Sequence, residues 1–383
     1  MKVNQIFTIV NNATQQVLGE SAVLEQDLTN VVDIGEEVFN ANQVENFTKA
    51  LIDQIGRIVF VDRVYAGTAP SVLMDDWEYA SVIEKVDCDI PDAEANNSWS
   101  LQDGTEYKQD TFKQPKVHAK FFNGKVTFEV PLSIAEMQVK SAFSGPTQLN
   151  GFLSMLYNSV EKSMTIKLDS LIMSTISNMM AETLYDEYQG TGYETKSTVK
   201  AVNLLKLYNT EKGTNLTDEK AVKDPDFIRY ASYMISLYGD RMKRISTLFN
   251  VGGRERFTPT EKMHVIMLSD FYKAAEVYLQ SDVWHNELTK LPDAETVPYW
   301  QGSGNDYSFT SVSKINVKHG EHTVELSGIL GVIFDHDALG VTQMNKRVTS
   351  HYNAKAEFVN SWYKVDAHYF NDMNENCVVF FVA

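Results

Sequence analysis

Between Tyr363 and Tyr369 the chain alternates, with Tyr363, Val365, Ala367 and Tyr369 on one side and Lys364, Asp366 and His368 on the other. A period of two marks a strand with one buried face, so the charged side is expected to point outward. A short polar stretch follows, and the chain closes on the unbroken apolar run Cys377–Val382, the pattern of a core strand covered on both faces. The same alternation recurs at 79–90, where Val82, Val86, Cys88 and Ile90 oppose Ser81, Lys85, Asp87 and Asp89. Residues 125–133 alternate as well and are its expected partner. Residues 116–122 alternate more weakly and run into Asn123-Gly124, a tight-turn signal. Between these strands, 91–114 is polar and lacks an apolar period, yet carries Trp99, Tyr107 and Phe112. So long a loop is uncommon in a compact domain and usually has a role. Isolated two-stranded hairpins are marginal in water, so this one is expected to be covered, by another subunit.

Helical spacing appears elsewhere. Over 44–60, Val44, Phe47, Leu51, Ile55 and Ile58 share a face. The rest of 1–60 has apolar residues only in short bursts, Phe7 and Ile9 among them, and reads as an arm with no core of its own. The competing reading is an ordinary N-terminal layer. From 149 to 181, Leu149, Leu153, Leu156, Val160, Met164, Leu168, Leu171, Thr175 and Met179 step by three or four. That predicts a rod of about 45–50 Å at ~1.5 Å per residue, started by Gly145-Pro146-Thr147 and packed on a sheet. No strict heptad supports a coiled coil. After a polar linker at 189–200, the spacing predicts a helix at 232–249, a buried strand at 263–269 and a helix at 271–280. An exposed loop is expected at 292–308, then strand, turn and a capped short helix over 324–341.

Composition narrows the function classes. The 383 residues allow two or three domains, or one with large extensions. Lys plus Arg number 34 against 51 Asp plus Glu, a formal charge of −17, which argues against a general grip on nucleic acid. Cys88 and Cys377 are far apart with no CxxC, so zinc ribbons and disulfide scaffolds are not expected and a reducing compartment suits the chain. No basic flank precedes a long apolar core at the start, and no apolar run is long enough to cross a bilayer. The expectation is a soluble protein, made in cytoplasm.

Candidate chemistry is sparse. Asp335, His336 and Asp337 are ligand types for a divalent metal, as a metal-dependent hydrolase would need. Adjacent residues in one loop seldom converge, and Asp337 as a helix cap is the stronger reading. Lys318–His322 reads as a turn between strands. Gly302-Ser303-Gly304 lacks the third glycine of a dinucleotide loop, and GxSxG and P-loop motifs are absent. Arg241, Lys243, Arg244, Arg254 and Arg256 could touch phosphate, although cations at a helix end explain them better. The first 60 residues hold three bases (Lys2, Lys49, Arg57) against eight acids, which excludes a basic condensing arm. No catalytic, cofactor or metal residues are assigned.

The order of parts, with ILGVIFDHDALGV and HYNAKAEFVNSWYKVDAHYFNDMNENCVVFFV at the end and VNQIFTIVNNATQQVLG and IDQIGRIVF near the start, resembles the major capsid proteins of tailed bacteriophages. The likeness is to those from phages of low-GC Gram-positive hosts. It implies an α+β Hong Kong 97 fold. Residues 1–60 would be the N-terminal arm and 65–132 the extended E-loop. Residues 133–194 and 346–376 would form the peripheral domain with its spine helix at 149–181, and 195–345 with 377–383 the axial domain. The resemblance implies a non-enzymatic subunit of hexamers and pentamers, enclosing double-stranded DNA without sequence-specific binding or membrane contact. Portal, scaffolding or decoration proteins would be its partners, with assembly in the host bacterial cytoplasm. The residues expected at subunit contacts are Trp99, Tyr107, Phe112, Phe7 and Ile9. A tail or baseplate protein is the alternative virion role.

Overall fold

The computed structural model describes all residues except 1, 2, 20–23, 27, 42, 62–67, 75–81, 92, 97, 108, 109, 111, 281–293, 302–305 and 320. The chain opens with helices α1 (Val3–Leu18), α2 (Val31–Asn40) and α3 (Val44–Val61). Strands β1 (Ile83–Cys88) and β2 (Val117–Phe122) flank the long loop, and β3 (Lys125–Ala135) leads into α4 (Glu136–Ala142) and α5 (Pro146–Tyr188). Next come β4 (Ala201–Asn203), α6 (Leu204–Lys212), α7 (Asp218–Ala221), α8 (Pro225–Met242), β5 (Met263–Leu268), α9 (Ser269–Gln280) and β6 (Glu295–Val297). Helix α10 (Phe309–Val312) precedes β7 (Ile315–His319), β8 (His322–Leu326) and β9 (Ile329–Asp335). The last strands are β10 (Leu339–Asn353), β11 (Phe358–Asn371) and β12 (Cys377–Phe381).

Two cores share one helix. The first is built on the antiparallel ribbon β10-β11-β3. Tyr363 and Val365 of β11 are buried there with Leu149, Leu153, Leu156, Val160 and Met164 of α5. Helix α3 adds Phe47, Leu51 and Ile55 to this core, and the Tyr363 hydroxyl donates to the Ile52 carbonyl at 3.4 Å. Ile6, Ile9 and Val10 of α1 and Val31, Ile34 and Val38 of α2 complete the layer. This overturns the expectation that residues 1–60 lack a core of their own. Each apolar burst is one stripe of a helix, and the stripes face one another. Ile9, expected at a subunit contact, is 1% exposed and belongs to this intramolecular core. Phe7 is half-buried against the same cluster.

The second core is the five-stranded sheet β4-β12-β9-β5-β6. Strand β12 pairs with β4 and β9. On one face Cys377, Val379 and Phe381 meet the C-terminal half of α5, through Ile172, Ile176, Met179, Met180 and Leu184. On the other, Val378 and Phe380 meet Phe227 and Ile235 of α8 and Phe271 of α9. A strand covered twice has no room for a polar residue, which accounts for the unbroken apolar run. Burial of each phenylalanine there contributes about 1.5–3 kcal/mol.

Helix α5 runs for 43 residues, about 65 Å at ~1.5 Å per residue, rather than ending at 181. It starts where expected, with Gly145 before Pro146 at the first position, a place where the missing N–H costs nothing. The extension past 181 buries Thr183, Leu184 and Tyr188, and Thr183 donates back to the Met179 carbonyl.

Other expectations need correction. Helix α8 begins earlier and ends earlier than 232–249, because Asp224 caps it by accepting N–H bonds from Asp226 and Phe227 and Pro225 follows at once. No helix follows Asp337: residues 336–338 form a turn between β9 and β10, and the Asp335 carboxylate accepts the Asp337 N–H. The 292–308 loop contains β6 and the buried Trp300, whose indole donates to the Ile329 carbonyl at 2.9 Å. Gly302-Ser303-Gly304 lies outside the described residues. On β11, Tyr363, Val365 and Ala367 point inward as predicted, but His368 is also buried. With Ala367 and His368 both covered, the strand there is enclosed on two faces.

Candidate assembly surface

Strand β1 does not pair with β3. It pairs antiparallel with β2, Val86 opposite Ala119 and Lys85 opposite Lys120, while β3 pairs with β11. Asn123-Gly124 therefore joins two sheets instead of closing a hairpin. A side chain at Gly124 would lie 2.8 Å from the Tyr369 carbonyl oxygen, so the glycine serves the close approach of β11.

The β1–β2 hairpin, closed by the long loop, inverts the usual arrangement. The register puts Lys85, Asp87, His118 and Lys120 on one face with Ile83 and Phe122, and Val86, Cys88, Val117, Ala119 and Phe121, with Glu84, on the other. The charged face is the one turned to the body. Lys85 Nζ lies 2.9 Å from Asp372 and 2.7 Å from Glu375, both in the turn between β11 and β12. Lys120 reaches Asp372 at 2.9 Å. In the reverse sense, Arg256 of the body pairs with Asp87 and, at 3.3 Å, with Glu375. Arg254 reaches Asp89 at 2.8 Å, and His118 lies 3.2 Å from the same carboxylate. Among the described residues apolar docking is confined to the root, where Ile83 is buried and Phe122 packs against Phe370 at 5.1 Å.

Burial sets how these groups titrate. Burial works against the charge on Lys85, but the carboxylates of Glu375 and Asp372 outweigh it and hold its pKa above the usual lysine value. Burial likewise opposes ionisation of Asp372, yet Lys85 and Lys120 keep its carboxyl below the ordinary range. Glu375 goes the other way: burial, aided by nearby Asp335, wins over Lys85 and Arg256 and pushes its pKa up.

The opposite face is left to solvent. Val86 and Phe121 are each 62% exposed, with Val117 beside them. In the loop, Trp99 is 99% and Phe112 86% exposed, and Tyr107 is exposed also. The structure thus leaves these three predicted contact residues available, unlike Ile9. The docked charges were missed as a group. Their signal was present in the polar phase of 79–90, and in Arg254 and Arg256, which pair with the hairpin instead of awaiting phosphate. Arg241 does sit in the last turn of α8, over the Tyr238 ring.

The alternative chemistry finds no site. Asp337 pairs with Lys262 at 2.9 Å, His336 Nδ1 faces His264 Nε2 at 3.0 Å, and Asp335 caps its own turn. Among the described residues no three ligating side chains converge on a point for a metal. Burial pushes the Cys377 thiol up to about 12. Among the described residues no helix is long and apolar enough to cross a membrane.

Among solved structures, the chain is similar to the capsid of Staphylococcus phage Andhra, with TM-score 0.50 and 10% identity over 84% of this chain and 86% of that one. A capsid chain of Cyanophage P-SCSP1u has TM-score 0.43 and 12% identity, over 85% and 92%. No curated protein matches in sequence. A family model, however, spans both cores and the hairpin from residue 6 to residue 381, and by it the chain belongs to the Phi29-like phage major capsid proteins.

Proposed function

We propose that this capsid protein builds its shell from hexamers and pentamers, closed into an icosahedral or prolate head around double-stranded DNA, with the β1–β2 hairpin and its loop as a principal contact between copies. As a major capsid protein it forms the phage shell, and its role is structural rather than catalytic. The observation that carries the finer reading is the outward apolar face of the hairpin. Val86, Val117 and Phe121 are exposed on one face of the hairpin, and Trp99 and Phe112 are exposed in its loop; exposed apolar surface of this kind marks interaction sites. A surface on one side of each subunit that meets a different surface on the next closes into rings. In this reading the hairpin and loop are the E-loop, α5 is the spine, the ribbon core is the peripheral domain and the five-stranded core the axial domain. The charge of −17 suits a container wall that repels packaged DNA. The resemblance adds a portal, and scaffolding or decoration proteins, as partners, and assembly in the bacterial cytoplasm.

Negative-stain microscopy with light scattering tests the reading. The full chain should give shells or capsomers, and a chain lacking 95–112 should stay folded by circular dichroism but assemble poorly. A full chain that stays monomeric at every salt and concentration tried would refute it. Loss of the monomer fold on deletion would place the loop in the core instead.

A further inference from the structure

The hairpin is attached differently from the strands of the two cores. Among the described residues its strands pair only with each other, and beyond the root it rests on the body through ion pairs. The chain before it is fixed differently, by neutral donors. Thr68 donates its N–H and hydroxyl to Asp169, at 2.9 and 3.1 Å, and Ser71 donates the same two groups to Glu295, at 3.0 and 2.7 Å. The Met74 N–H donates to the Val341 carbonyl. A firm root and a charged rest make a lever.

We propose that the β1–β2 hairpin is held on its own body by an ionic latch, so that the ionic strength of the medium sets whether it lies docked or free. The inference rests on this chain's own contacts and stands whether or not the hairpin proves to be the contact between copies. The latch is reciprocal: lysines of the hairpin meet carboxylates of the body, and arginines of the body meet carboxylates of the hairpin. A shift by two residues would bring Asp87 against Asp372 and Glu375, so the charges also fix the seat by repulsion. Along β1 exposure grades the latch from the loop end inward, while on β2 Lys120 is 41% exposed against a buried Asp372. Asp89 and Arg254 are 38% and 32% exposed, Asp87 and Arg256 32% and 16%, and Lys85 and Glu375 25% and 10%. Salt screens exposed pairs first, with a Debye length of ~10 Å at 0.1 M and ~3 Å at 1 M. Release therefore begins at Asp89 and ends at Lys85. An undocked two-stranded ribbon is marginal by itself, so release shows as lost amide protection.

Hydrogen exchange on the dispersed full-length chain reads this directly. Raising sodium chloride from about 0.05 M to about 1 M at fixed pH should speed exchange of 83–88 and 117–122 about tenfold, the loss of ~1.4 kcal/mol of docking. Protection of Cys377–Phe381 should not change. Lys85→Glu, which would face both Asp372 and Glu375, should show fast hairpin exchange already at low salt. At the more exposed pair Asp89→Arg alone should do the same, and the double change Asp89→Arg with Arg254→Glu should restore protection. Hairpin protection indifferent to salt, or a charge-swapped pair that fails to restore it, would overturn the proposal.

Discussion

Strands β12 and β1 are of similar length, five and six residues, and meet opposite fates. In β12 every residue is buried, each face against a different set of helices. In β1 the apolar residues past Ile83 face solvent, with Glu84, while Lys85 and Asp87 face protein. The difference lies in what waits on the body. For β12 it is two apolar layers. For β1 it is a turn bearing Asp372 and Glu375 beside a loop bearing Arg254 and Arg256. Alternation says which residues share a face, but the neighbouring surface decides which face goes in.

The largest effect should come from breaking β12. Val379→Asp buries an unpaired charge in the centre of the sheet and should cost about 3–5 kcal/mol or more, read as a lowered urea midpoint or loss of folded protein. A smaller loss is expected at the hairpin. Arg256→Ala leaves Asp87 and Glu375 short of a partner and should cost about 1–3 kcal/mol, with faster exchange of the hairpin and little change in β12. A loss of protection across both cores would erase the distinction between the two regions.

Acid sharpens the comparison through its sign. Asp372, with its folded pKa depressed, adds stability that is present above the ordinary aspartate value of ~3.9 and is lost as pH falls through the folded value. Glu375, with its pKa raised, takes up a proton earlier, above the ordinary glutamate value of ~4.3. That protonation favours the folded chain, because it ends an unfavourable burial of charge. Hairpin docking should nevertheless weaken first as Glu375 takes up its proton and loses its ion pairs with Lys85 and Arg256, and fail with the titration of Asp372. Carboxyl carbon NMR would follow both, and Asp372 titrating above Glu375 would contradict the geometry. The smallest effect on stability is expected outside the latch. Phe121→Ser with Val117→Ser should leave the monomer within about 0.5 kcal/mol while reducing assembly seen by light scattering.

Elements that depend on their own residues were legible in the sequence. Helix α3, the start of α5, and strands β5, β11 and β12 follow from period and capping, and lie close to where the pattern puts them. What depends on distant partners was not legible. The pairing of β1 with β2 turns on the approach of β11 to Gly124. The burial of His368 turns on where the ribbon enters the second core. The fate of Ile9 turns on α2 and α3 folding over α1. Of the expected contacts, Trp99, Tyr107 and Phe112 stand free because their loop has no apolar period to draw it inward, whereas Ile9 has a helical one.

Helix α5 has a mechanical consequence. Its side chains pass from the ribbon core at Met164 to the five-stranded core at Leu168, one turn later, with no break in the helix. A beam continuous through both bodies leaves no soft joint between them, so a push at one end arrives at the other as rotation of the whole rather than as bending in the middle.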